Sequence, residues 1–291
     1  MPTRRCILGL LLATLAAPAA ADAEKLPVVA SFSIIGDLVQ EVGGDRVVVT
    51  TLVGPDGDAH VYQPTPADAR RIAQAKVIFV NGLGFEGWLD RLIAAAKSKG
   101  TVVTLGSGVT SRAGEEGTDP HAWQNVANAK IYVGEIRDAL IAADPPGAEA
   151  YRSRAENYLV RLDALDREIV DTLGAIPENR RRVVSTHDAF GYFSARYGVA
   201  FIAPQGVSTE AEASARDIVR IIQAVKQNQV GAVFLENIAD PRLAKRIAAE
   251  TGARIGGTLY SDALSGPGEG GANYIDMMRH NVRELAKALG P

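Results

Sequence analysis

Ala148-Glu-Ala-Tyr-Arg-Ser-Arg-Ala-Glu-Asn-Tyr-Leu-Val-Arg-Leu-Asp-Ala-Leu-Asp-Arg-Glu-Ile-Val-Asp-Thr-Leu173 is the stretch that sets the architecture. Apolar side chains fall at Ala155, Tyr158, Leu159, Leu162, Leu165, Ile169 and Leu173. That is the spacing of one helix face, with charged residues opposite. Uninterrupted, the stretch spans about 39 Å. Asp144-Pro-Pro-Gly147 separates it from the pattern before it, and Pro177 ends it. A helix of this length between two α/β halves could be a surface crossover; it reads as a rigid connector.

On its N-terminal side, short apolar runs alternate with helical patterns. Val28–Phe32, Val47–Val53, Val77–Val80 and Val102–Leu105 read as strands. Ile34–Val42, a segment opened by Pro66, and Trp88–Lys97 read as helices between them. A further helix carries Ala129, Tyr132, Ile136 and Leu140 on one face, after a Gly/Ser/Glu-rich loop at Gly106–Thr118 that has no periodicity. On the C-terminal side the logic repeats, with strands at Val183–Ser185, Ala200–Ala203, Ala232–Leu235 and Arg254–Leu259. Helices are expected there at Ile218–Lys226, Pro241–Glu250 and Tyr274–Leu289. This alternation predicts an α/β protein with doubly wound parallel sheets. The expected organisation is a signal peptide at 1–21, an N-terminal lobe at 24–145, a connecting helix at 148–175 and a C-terminal lobe at 176–291.

Composition bounds the function. With 291 residues, 47% hydrophobic and 22% charged, the chain can bury sizeable cores. A formal charge of −3 with no like-charge block gives no basis for nucleic-acid binding. Arg4 and Arg5, the apolar run after them and small residues around Ala19–Ala23 read as a cleavable secretory signal. No later segment approaches the ~20 apolar residues of a membrane span. The single cysteine, Cys6, lies inside that signal, so the mature chain offers neither a disulfide nor a thiol ligand. A cysteine-free exported monomer in a bacterial periplasm is the expectation.

The chemistry-bearing residues are few. Of the four histidines, His280 falls within the last helix pattern and reads as an ordinary part-exposed residue. His60 and His187 follow strands, as does Asp262, and ligands collect beyond the carboxyl ends of strands in such sheets. His121 opens a helix, so its loop would have to turn inward. Each histidine taken singly fits a structural role. Three imidazoles and a carboxylate together fit tetrahedral or slightly expanded metal coordination without sulfur. Glu236, ending a strand, is either an acceptor for a ligand imidazole or a plain surface carboxylate. Asp58 and Asp119 read as turn formers, and Asp188 as the cap of a following helix. Gly82-Leu-Gly-Phe-Glu-Gly87 matches a dinucleotide fingerprint, but it follows the third strand and lacks the acidic residue about 20 positions on. A tight turn is expected there.

Several of these segments resemble one family closely. Gly54-Pro-Asp-Gly-Asp-Ala-His60-Val-Tyr-Gln-Pro-Thr-Pro-Ala-Asp68, Asp119-Pro-His121-Ala-Trp, Ser185-Thr-His187-Asp-Ala-Phe-Gly-Tyr and Gly256-Gly-Thr-Leu-Tyr-Ser-Asp262-Ala are similar to the four ligand loops of metal-binding solute receptors of ABC transporters. Asn81-Gly-Leu-Gly-Phe-Glu-Gly-Trp and Gly206-Val-Ser-Thr-Glu-Ala-Glu-Ala-Ser fit it too, in order along the whole mature chain. The resemblance implies a non-catalytic periplasmic receptor for zinc or manganese. It would have two α/β lobes joined by one long helix, with the metal in the cleft between them and an inner-membrane ABC permease as partner. Such a connector limits bending, so release would rely on small lobe shifts and loop rearrangement. Manganese-selective members typically carry glutamate at the third ligand position, where this chain has His187. That favours zinc, although the histidine-rich loop common in zinc members is absent from Gly106–Thr118. A zinc hydrolase is the competing class. It would need an open coordination position and a general base, and the chain has no His-Glu-x-x-His segment.

Overall fold

The computed structural model describes residues 24–114, 117–227 and 230–290; the expected signal at 1–21 lies outside them. The N-terminal part runs β1 (Leu26–Phe32), α1 (Ser33–Gly43), β2 (Val47–Val53), α2 (Pro66–Gln74), β3 (Val77–Val80), α3 (Leu89–Ala96) and β4 (Thr101–Thr104). A two-stranded ladder of β5 (Ala113–Gly114) and β6 (Gly117–Thr118) follows, then α4 (Val126–Ala143). After α5 (Ala148–Gly174) come β7 (Arg182–Val184), α6 (Gly191–Tyr197), β8 (Ala200–Ile202) and α7 (Ala215–Gln227). The chain closes with β9 (Ala232–Glu236), α8 (Arg242–Thr251), β10 (Arg254–Leu259) and α9 (Tyr274–Leu289).

Each half holds a four-stranded parallel sheet, ordered β2-β1-β3-β4 and β10-β9-β7-β8. Helices cover both faces, which is why β3 is buried along its whole length. Strand order reverses between β1 and β3 in one sheet and between β7 and β9 in the other, creating a crevice at the carboxyl end of each. His60 and Asp262 follow the outer strands β2 and β10, while His187 follows β7 and Glu236 ends β9. Two such edges facing each other form the cleft.

The expected connector is α5. Its buried face is Tyr151, Ala155, Tyr158, Leu162, Leu165, Ile169 and Leu173. It packs on α1 and α4 of the first lobe and on α6 and α9 of the second. Arg161–Glu41 (2.8 Å) ties it to one lobe, while Arg279–Glu168 (2.9 Å) and Arg196–Asp166 tie it to the other. Each buried Leu or Ile on that face contributes roughly 1.5–3 kcal/mol, against about 0–1 kcal/mol for an exposed ion pair. Packing, not charge, therefore holds the helix. One core cluster runs continuously from Val28 in the first sheet through α5 to Leu289 in the last helix. Where α1, α5 and α9 meet, Asp37 accepts the Tyr274 backbone N–H at 2.9 Å, and burial pushes its carboxyl up to about 7.

Two expectations need correcting. The segment Gly106–Thr118 is not a plain loop: a 3-10 turn at Leu105–Gly108 and the β5/β6 ladder organise it. Asp188 does not cap a helix, because α6 starts after Phe190 and no side chain caps it. The backbone N–H of Asp188 instead donates to the Gly206 carbonyl at 3.1 Å.

Candidate metal centre

The His60 loop is pinned at several points. Asp58 Oδ1 accepts the backbone N–H of His60 at 2.9 Å, the turn expected of it. Trp88 Nε1 donates to the Ala59 carbonyl at 2.7 Å. Beyond the loop, Thr65 and Asp68 form a reciprocal capping box with Pro66 in the first turn of α2. The Tyr62 hydroxyl adds a bond to Asp68 at 2.9 Å. Phe85 stands edge-on to the His60 ring, with 4.6 Å between centroids.

The turn Gly82–Gly87 supports that wall. Gly82, Leu83 and Gly84 all take positive φ (77°, 56° and 85°), a conformation glycine adopts without strain. Glu86 folds back to accept from Asn81 N (2.7 Å), Gly82 N (3.0 Å) and the Ser31 hydroxyl (2.6 Å). Glu86 thus closes the turn on itself, and α3 starts only at Leu89, so the glycines open no helix N-terminus for a phosphate.

His121 turns inward because Asp119 holds it twice. Asp119 Oδ1 accepts its backbone N–H at 3.0 Å and lies 2.9 Å from its Nδ1. The loop is braced by Asn81, which donates to the Pro120 carbonyl at 2.9 Å and accepts from the Tyr132 hydroxyl at 2.6 Å. Arg112, from the segment before β5, pairs with Asp119 at 3.3 Å and reaches across to Tyr192 and Gly191 of α6. That segment therefore closes over the His121 side of the cleft. Asp119 is more than the turn former the sequence predicts, because it also sets the imidazole. The shared Asp-x-His spacing of Asp58/His60 and Asp119/His121 signals the turn but not the contact with Nδ1.

His187 has the equivalent partner in Glu236. Glu236 Oε1 accepts from Thr186 N (2.6 Å) and His187 N (3.0 Å), and Oε2 lies 2.6 Å from His187 Nδ1. Of the two readings of Glu236, the imidazole acceptor is the one observed, and its side chain is fully buried.

With both Nδ1 atoms facing carboxylates, His121 and His187 donate there, and each would offer Nε2 to a cation that displaces its second proton. These Nε2 atoms meet that of His60 and the Asp262 carboxylate. His60 Nε2 is 3.3 Å from His121 Nε2 and 3.3 Å from Asp262 Oδ2. His187 Nε2 is 3.0 Å from Asp262 Oδ2, and His121 Nε2 is 3.5 Å from Oδ1. The four ligand atoms all lie within 4.8 Å of one another. Neither Asp262 oxygen nor His187 Nε2 makes a hydrogen bond. Buried acceptors without donors are costly unless a cation or proton joins them. Burial alone depresses the His187 imidazole, but the Glu236 and Asp262 carboxylates outweigh it and hold it well above its usual range. Burial dominates at His60, whose imidazole is pushed down. Asp262 resists the upward push of burial because the His187 and His121 rings hold it well below the ordinary carboxylate range. The carboxylates of the centre therefore favour positive charge among the imidazoles, the charge that a bound cation would bring.

Comparison with known proteins decides what such a pocket belongs to. The family described as zinc-uptake complex component A, periplasmic (ZnuA) matches residues 28–288. The chain belongs to the ZnuA family. The chain is 37% identical to the manganese-binding lipoprotein MntA of Halalkalibacterium halodurans over 270 residues, 92% of this chain and 90% of that one. It is 34% identical to the iron-binding protein YfeA of Yersinia pestis, over 92% of this chain and 88% of that one. The fold superposes on the periplasmic zinc-binding protein TroA of Treponema pallidum with a TM-score of 0.88 and 29% identity, covering 92% of this chain and all of that one. This ZnuA-family chain is therefore an extracytoplasmic metal-binding receptor of an ABC transporter, a substrate-binding protein rather than an enzyme. Its two-lobed α/β architecture is the family's. Among the described residues no helix is long and apolar enough to cross a membrane.

Proposed function

We propose that this receptor captures zinc through His60, His121 and His187 Nε2 and the Asp262 carboxylate, and hands it to an ABC permease for import. The observation that carries the assignment is the convergence of three imidazole nitrogens on a carboxylate whose oxygens have no hydrogen-bond donor. Zinc bonded to nitrogen at about 2.0–2.1 Å places tetrahedral ligands roughly 3.3–3.4 Å apart. Four contacts at this site, at 3.0, 3.3, 3.3 and 3.5 Å, lie around that value, within a cluster whose ligand atoms are all within 4.8 Å of one another. Three imidazoles also favour zinc over manganese, which prefers oxygen. Residues 1–21 act as the export signal, leaving a monomeric lobe pair, 24–145 and 176–291, on the connecting helix 148–175. The metal is cargo, so a four-ligand protein site with no position held for water suits carriage rather than hydrolysis.

A manganese receptor is the second reading, favoured by the name of the 37%-identical relative and by two others named for manganese transport. Growth separates the two. A strain lacking this gene is expected to grow normally in rich medium and slowly in chelated medium, with zinc restoring growth. Restoration by manganese alone would favour the second reading, and normal growth and metal content under chelation would contradict a transport role.

A further inference from the structure

The four residues of the centre are not anchored alike. The Asp262 loop is joined to the His121 segment by bonds inside the protein. The Ser261 carbonyl accepts from Trp123 Nε1 (2.9 Å) and Gln124 Nε2 (2.6 Å), and the Tyr274 hydroxyl donates to the Trp123 carbonyl (2.7 Å). His187 is locked by Glu236. All three of these site residues are fully buried, whereas His60 keeps 5% of its surface and Val61 beside it is exposed. Among these four residues, His60 is therefore the one with surface left to solvent.

The loop carrying His60 meets the C-terminal lobe through polar contacts. Asp56 Oδ1 accepts from Asn237 Nδ2 at 2.8 Å, and the Asp56 N–H donates to the Leu264 carbonyl at 2.9 Å. Asp58 does two things with one carboxylate. Its Oδ1 holds the His60 backbone N–H, and its Oδ2 accepts the Thr209 hydroxyl of the opposite lobe at 2.7 Å. A cavity of about 510 Å³ opens beside this pair, lined by Asp58 and Thr209 together with Thr186, Gln205 and Asp240. Water in that cavity can solvate both groups once they part. Parting the buried bonds between Trp123 and Ser261 would instead strand donors and acceptors inside the protein. Of the cross-lobe ties, the Asp58–Thr209 bond is suited to open and close repeatedly.

We propose that Asp58 is a positioning residue for His60 whose hold depends on the opposite lobe through Thr209, and that the His60 loop is the part of the centre that opens to release the cation. This rests on the four-ligand reading above and adds which ligand leaves first. Separation of the lobes at these contacts frees Asp58 Oδ2, slackens the turn ending at His60 and withdraws one imidazole. His121, His187 and Asp262 remain where their buried partners keep them.

The test uses the full mature chain loaded with zinc, with release into excess chelator followed by stopped flow. Thr209→Val keeps the shape of the side chain and removes the hydroxyl, while Thr209→Ser keeps the hydroxyl. Thr209→Val is expected to release zinc about tenfold faster with an unchanged association rate, the loss of one hydrogen bond to a charged group. Thr209→Ser is expected to match the wild type. Amide exchange should quicken in Thr209→Val across residues 55–61 and not across 119–124. Release at the wild-type rate in Thr209→Val, or faster exchange in both segments alike, would overturn the proposal. Failure of the wild-type chain to bind zinc would instead remove the metal reading, and this inference with it.

Discussion

His187→Ala is expected to weaken zinc binding by at least about a hundredfold, since a four-ligand site spreads about 10–16 kcal/mol over its ligands. The loss has two sources. One Nε2 donor disappears, and Glu236 Oε2 and Asp262 Oδ2 lose the imidazole that faces both of them. Breaking a buried pair while leaving its partner charged destabilises by about 3–5 kcal/mol, so the metal-free variant should also melt at a lower temperature. Chelator competition reads the first effect and thermal unfolding of the stripped protein the second. Asp262→Ala is expected to behave alike in binding, because its carboxylate lies within 3.5 Å of all three imidazole nitrogens. A His187→Ala protein with wild-type affinity would remove His187 from the ligand set.

The second large effect is expected at a residue that does not touch the cation. Glu236→Gln preserves shape, but an amide cannot offer two acceptor oxygens. Glu236 now accepts from two backbone N–H groups through Oε1 and faces His187 Nδ1 through Oε2. If the amide nitrogen of glutamine faces Nδ1, the imidazole proton moves to Nε2 and points at the metal. If the amide is reversed, its NH2 faces the Thr186 and His187 N–H groups. Either arrangement costs affinity, by roughly 10–100-fold on the scale of such supporting residues. The fold should survive, because the carboxylate's charge and not its bulk is removed. Wild-type zinc affinity in Glu236→Gln would reduce Glu236 to a brace for the turn after β7.

Much of this was legible in the chain. Parallel strands covered on both faces are apolar runs, so Val77–Val80 and Ala232–Glu236 stand out, and the one-sided pattern of α5 announces a helix packed on both lobes. The elements that escaped are too short to carry a period. The helix α6 makes two turns, and β5 and β6 pair only two residues each. Site residues following strands were readable because strand ends converge. The inward turn of His121 was not, because it depends on Asp119, Asn81 and Tyr132, three residues joined only by tertiary packing. Asp119 also shows a limit of local reading. An aspartate two positions before a histidine forms the same turn whether or not it reaches Nδ1, as Asp58 and Asp119 demonstrate. Nothing in the sequence pairs Asp58 with Thr209, which lies 151 positions away.

The proposed function stands on four protein ligands forming a single site that prefers zinc. The most direct test is a chelator-competition titration of the metal-stripped mature chain with zinc and manganese in parallel. One zinc ion per chain is expected, bound far more tightly than manganese, with His60→Ala, His121→Ala, His187→Ala and Asp262→Ala each weakening that binding strongly. Manganese binding as tight as zinc, or zinc binding that survives loss of any one of the four, would contradict it.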